Sequence, residues 1–101
     1  MRSVVLEDLR ENKIFELEVE GVFVEVGLKP NSELAKSLGV LTTQRDEIII
    51  DCNNRTSERG VYAAGDCTNI FAKQIITAAG EGAKALLSIY HDLTYGVSSW
   101  I

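Results

Sequence analysis

The stretch Arg59-Gly60-Val61-Tyr62-Ala63-Ala64-Gly65-Asp66-Cys67, RGVYAAGDC, decides the fold. Val61 to Ala64 reads as a short strand that stops on a small residue, a glycine and an aspartate, and a long helical pattern begins a few residues later. Glycine has no Cβ, so Gly65 lets a ligand or a second backbone come close. Asp66, at the carboxyl end of such a strand, is placed to accept hydrogen bonds from a sugar hydroxyl. Ligands of open α/β sheets sit at that end. The N–H groups that open the next helix, near Lys73, Gln74 and Ile75, offer donors and a positive dipole end to an electron-rich ligand edge. On the residues alone a plainer reading stays open, because an aspartate before a helix is often only a cap.

Working outward, the helix runs from Lys73 to about Leu93. Ile75, Ile76, Ala79, Ala83, Leu86, Leu87, Tyr90 and Leu93 fall at steps of three and four and make one apolar face. Gly80 and Gly82 interrupt it at a cost of about 1 kcal/mol each, which suggests a close approach to something outside the helix. Upstream, Glu47 to Asp51 reads as a strand with three consecutive isoleucines. Asn31 or Ser32 caps a short helix through Leu38, with Gly39 at its end. Val4–Leu9, Ile14–Val19 and Val22–Val26 read as a hairpin followed by a third strand. Glu16, Glu18 and Glu20 then line a solvated strand face.

The bulk numbers set bounds. The chain has 101 residues, 46% hydrophobic and 25% charged, which fits one small folded domain. A formal charge of −5 with no basic run gives no reason to expect nucleic acid or an anionic membrane as partner. No apolar run is long enough to span a bilayer, and MRSVVLEDLRENK turns acidic too soon for a signal peptide, so a cytoplasmic location is expected. Cys52 and Cys67 fit neither a CxxC redox pair nor a zinc knuckle and read as small, partly buried packing residues. His91 reads as an exposed residue favourable to the helix C-terminal dipole. Lys73 reads as a solvent-exposed lysine at a helix start, and Trp100 as a tail residue packed on a neighbour.

Three ordered segments carry a family resemblance over about Val4 to Leu93. Residues 56–67, TSERGVYAAGDC, resemble the second flavin-binding motif of thioredoxin-reductase-like flavoproteins. These are pyridine-nucleotide disulfide oxidoreductases, and they include the flavoprotein subunit of alkyl hydroperoxide reductase. Residues 21–31, GVFVEVGLKPN, resemble the strand and turn where the chain returns from the NADPH domain to the FAD domain. Residues 73–85, KQIITAAGEGAKA, resemble the helix after the motif.

The resemblance implies an α/β fold, part of a Rossmann-like FAD-binding domain, with short strands and a long C-terminal helix. Residues 1–27 would be the end of the NADPH-domain strands and the return crossover, and residues 28–101 the C-terminal segment of the FAD domain. Asp66 would bond a ribityl hydroxyl of FAD, and Gly65 would let the strand end approach it. The N–H groups around Gln74 and Ile75, beside Lys73, would face the pyrimidine edge of the flavin. Gly82 and Ala83 would keep the helix close to the cofactor. These 101 residues contain no GxGxxG and no CxxC. The chain therefore resembles the C-terminal third of such a reductase and is expected to be inactive alone. It would pair with an N-terminal reductase portion or self-associate to cover its apolar faces. The alternative is a standalone interaction or oligomerisation module, or one component of a split enzyme.

Overall fold

A computed structural model describes residues 2–97, so the tail reading that includes Trp100 lies outside the described residues. Two antiparallel strands come first, β1 (Ser3–Asp8) and β2 (Lys13–Glu18), in a register that runs from Ser3 opposite Glu18 to Asp8 opposite Lys13. Asp8 closes the hairpin by accepting the N–H of Arg10 at 2.9 Å, and Asn12 takes the left-handed conformation at φ 53°. The expected hairpin is present, with each strand shifted by one residue toward the N-terminus. Every residue of β2 is exposed, its apolar positions as well as its glutamates.

The third expected strand does not form. Val22–Val26 is an unpaired segment with Phe23 93% and Val26 91% exposed. A β-rich run becomes a strand only when its N–H and C=O groups meet a neighbouring strand, and no described segment pairs with this one. The short helix α1 (Glu33–Ser37) follows as expected, with Ser32 buried before it and Gly39 at φ 82° behind it.

Packing centres on Ala35, Val40 and Ile48, against which Ile50, Val61, Ala63 and Cys67 lie. The strands expected at Glu47–Asp51 and Val61–Ala64 shrink to isolated bridges. Ile48 pairs antiparallel with Thr42 and parallel with Thr68, while Tyr62 pairs antiparallel with Arg55. Left-handed turns at Asp46 (φ 65°) and Asn54 (φ 63°) bend the chain away before a ladder can extend. Cys67 is half-buried as expected, whereas Cys52 is exposed rather than packed.

The final helix, α2 (Ile75–Tyr95), begins two residues later and ends two residues later than its periodicity predicts. Its inward face is not the apolar one. Ala78 meets Gly65, Glu81 bonds Asn54, and Ala85 and Asp92 are buried. Ile75, Ile76, Leu86, Leu87, Tyr90 and Leu93 of the expected core stripe are all exposed. The molecule measures 63 × 25 × 23 Å with a radius of gyration of 19.8 Å. A compact chain of this length would have about 13 Å.

Candidate functional site

The turn after Ala64 is built from local bonds. Gly65 is buried at φ 87°, and its carbonyl accepts both the N–H (3.0 Å) and the hydroxyl (2.7 Å) of Thr68. A Cβ at Gly65 would lie 3.5 Å from the Ala78 Cβ, so the turn already abuts α2. Asp66 sits at the outer corner and is exposed. The turn is tied back to the packed centre through Ile48, whose N–H donates to Cys67 O (2.8 Å) and whose carbonyl accepts from Asn69 (3.0 Å).

Lys73 joins this turn to the helix opening. Its ammonium donates to the carbonyls of Thr68 (2.5 Å) and Asp66 (3.3 Å) and pairs with Glu47 at 3.1 Å. The side chain is only 18% exposed, so Lys73 does not stand free in solvent as its position in the sequence suggests. The Lys73 hydrogen bond holds the Glu47 carboxyl below its ordinary range, against an opposing push from burial.

At the start of α2, Gln74 and Thr77 cap one another. The Gln74 N–H donates to Thr77 Oγ1 at 3.0 Å, and that hydroxyl donates on to Ala72 O. The donor expected at Gln74 is therefore taken. The N–H groups of Ile75 and Ile76 are left without helical carbonyl partners, as at any helix start. Gly65, Asp66, Lys73, Gln74 and Ile75 thus come together in one corner. Gly82 and Ala83 do not join them. Both are exposed, and Gly82 lies two turns along, about 10 Å by helical rise. A Cβ at Gly80 or Gly82 would meet nothing within 4 Å.

No local signal in the sequence marks the groups that anchor the far end of α2. Arg55 grips Asp92 through two bonds, Nε–Oδ2 at 2.8 Å and Nη2–Oδ1 at 2.6 Å, and Tyr62 donates to Oδ2 at 2.5 Å. Asp51 adds a second carboxylate 3.6 Å from the guanidinium. The bond from Arg55 holds Asp92 far below the ordinary carboxylate range, and Asp92 in turn raises Arg55. Burial, then the bond to Asp92, pushes the Tyr62 phenol up. Asn54 donates to Ala63 O (3.0 Å) and to Glu81 (2.7 Å), while its own buried oxygen has no partner among the described residues. His91 is exposed as expected, 3.3 Å from Asp92 and stacked at a tilt on Tyr95. It lies above the last turn of the helix.

Taken together, the corner presents an exposed carboxylate and open N–H donors, while Gly65, expected to admit a ligand, is buried and makes its close approach to Ala78 of α2. The cation beside it is already neutralised. This suits a ligand that is rich in hydroxyls on one side and in acceptors on the other. Among the described residues, no cluster of histidine, cysteine and acidic residues could hold a metal, and no helix is long and apolar enough to cross a membrane.

The profile of the family described as pyridine nucleotide-disulphide oxidoreductase matches residues 2–82. The alkyl hydroperoxide reductase F protein of Pseudomonas aeruginosa is 44% identical over 91 residues, which is 90% of this chain and 17% of that protein. The Escherichia coli K12 protein of the same name is 48% identical over 80 residues, 79% of this chain and 15% of its own. Among solved structures, thioredoxin reductase of T. acidophilum superposes with a TM-score of 0.80 at 41% identity, covering 92% of this chain and 31% of its own. A thioredoxin reductase from Gloeobacter violaceus gives 0.61 at 30% identity, over 99% of this chain and 32% of its own. The chain thus spans about a sixth of these curated relatives and about a third of these solved reductases.

Proposed function

Because the chain belongs to the pyridine nucleotide-disulphide oxidoreductase family, we propose that it is the flavin-contacting C-terminal portion of a thioredoxin-reductase-like, NADPH-dependent disulfide oxidoreductase. The observation that carries this reading is the corner where the Gly65–Asp66 turn meets the opening of α2, held together through Lys73. The residues fit the isoalloxazine and ribityl half of FAD. The Asp66 carboxylate is open to solvent to accept from ribityl hydroxyls, Gly65 supplies the left-handed turn that seats it against α2, and Ile75 and Ile76 offer the N–H groups of the helix start. FAD, when bound, supplies the electron store between a nicotinamide and a disulfide. The chain's part is to hold and orient the ring edge and to place donors where negative charge gathers.

The GxGxxG and CxxC motifs of the family do not occur in these 101 residues, so the chain alone is not expected to turn over. An N-terminal reductase portion is the natural cover for the exposed stripe of α2 and for Val22–Val26. Two free cysteines suit a reducing cytoplasm.

The test is a hybrid in which this chain replaces the matching segment of the Pseudomonas aeruginosa relative. The expected result is a visible flavin band that survives gel filtration and is weakened by Asp66→Ala. A folded hybrid that stays colourless in excess FAD overturns the proposal.

A further inference from the structure

We infer that Glu47 and Lys73 form a positioning brace, in which Lys73 sets the α2 opening against the Asp66–Thr68 turn while Glu47 cancels its charge. The inference rests on reading that corner as a flavin contact, and it assigns Lys73 a role other than a charge presented to the flavin. An ammonium has three N–H donors. Glu47 at 3.1 Å, Thr68 O at 2.5 Å and Asp66 O at 3.3 Å account for all three. Both side chains are mostly covered, at 18% and 19% exposure, so the pair is less screened than a surface ion pair.

Glu47 is itself fixed. Its carboxylate accepts from Thr43 Oγ1 at 3.2 Å, and its carbonyl accepts from the Thr43 N–H at 2.8 Å. The next residue, Ile48, carries the two backbone bonds to Cys67 and Asn69. The ion pair and the parallel bridge therefore leave from adjacent residues, Ile48 reaching the turn at Cys67–Asn69 and Glu47 reaching Lys73 before the helix. Without Lys73, the turn and the helix opening keep only the apolar approach of Gly65 to Ala78 and the loop 69–72, in which Phe71 is fully exposed. Asp66 and the Ile75 N–H must face one ligand together, and a displacement of about 1 Å in such a site costs up to about a hundredfold in function.

Glu47→Gln, Lys73→Met and the double variant of the full chain separate the possibilities, with amide hydrogen exchange as a readout independent of flavin. Each single variant is expected to speed exchange at Ile48, Thr68 and Asn69 by about tenfold. The double variant should do no worse than Lys73→Met alone, because Lys73→Met already removes the ion pair that Glu47→Gln weakens, along with the bonds to Thr68 and Asp66. Ala63, bonded elsewhere, should be unchanged. In the flavin-loaded hybrid, both single variants should weaken FAD retention together. Unprotected amides at Ile48 and Thr68 in the unaltered chain overturn the brace. So does a hybrid in which Lys73→Met loses flavin while Glu47→Gln keeps it, since Lys73 would then act as a charge on the cofactor. If the exchange pattern appears but no unaltered hybrid holds flavin, the brace stands and the flavin reading falls.

Discussion

Gly65 turns the chain at φ 87°, and a Cβ there would meet Ala78 at an ordinary 3.5 Å. The obstacle to a side chain is the backbone conformation and not the space. Gly65→Ala is expected to cost about 1–2 kcal/mol, seen as a lower urea midpoint; an unchanged midpoint would contradict the left-handed turn. Gly82 behaves in the opposite way. It sits inside α2 with nothing within 4 Å of an added Cβ, so Gly82→Ala should stabilise the isolated chain by about 1 kcal/mol. If Gly82 exists to admit a cofactor or a neighbouring backbone, the same change should reduce flavin retention in the hybrid. Higher stability with full flavin retention would remove Gly82 from the site. At this scale Gly65 and Asp66 were legible in the sequence, because a turn is specified by a few adjacent residues. Lys73 was legible as a position and misread in its surroundings. Its partner Glu47 lies 26 residues earlier, and nothing in the spacing points to it.

The helix α2 is the element on which the site depends, and it is held by a few polar contacts. Glu81 meets Asn54 at one point, and Asp92 meets Arg55 and Tyr62 at another. Asp92, Glu81 and Glu47 all have carboxyl pKa values lowered by their partners. An acid depressed by folding stabilises the fold above its unfolded value of about 4, and this support is lost as pH falls through the lower folded value. Tyr62 is shifted the other way. Its contribution holds below about pH 10 and is lost as pH rises through the folded value. Helical circular dichroism should therefore be flat between about pH 5 and 9 and fall on both sides. Arg55→Met removes the main cause of the Asp92 shift, so the acid limb should move to higher pH; an unmoved limb would mean that the pair does not hold α2. Periodicity found this helix almost to its ends and misjudged its orientation. An apolar stripe shows which face seeks cover, but not whether the same chain provides it. Ala78, Ala85 and Asp92 stand outside that stripe, and the burial of Asp92 is explained only by Arg55, 37 residues away.

The molecule as a whole exposes more surface than a domain of its mass should. Its accessible surface is 8179 Å², against about 5,700 Å² expected for a compact 11.1 kDa chain. The excess of about 2,500 Å² equals that buried in a substantial protein interface. It is also concentrated where association needs it. Val22 to Val26, the outward stripe of α2 and both faces of β2 are exposed. The sequence made β2 and α2 legible, whereas Val22–Val26, read as a strand, stays unpaired because no described segment offers it a ladder partner. A net charge of −5 opposes close approach of two copies, though at physiological salt that repulsion fades beyond about 8 Å. Purified alone, the chain is expected to sediment as species heavier than 11.1 kDa and to bind a hydrophobic dye. Leu86→Glu with Leu93→Glu should shift it toward the monomer if the α2 stripe carries the contact, and Phe23→Glu should do so if the unpaired segment does. A single 11.1 kDa species with no dye binding would mean that the open faces close on one another in solution. If the same stripe meets the reductase portion in the flavin hybrid, as proposed above, the Leu86 and Leu93 changes should loosen the flavin corner by misplacing α2. Association and cofactor binding would in that way compete for one surface, and adding the N-terminal portion should dissolve the oligomer as the flavin band appears.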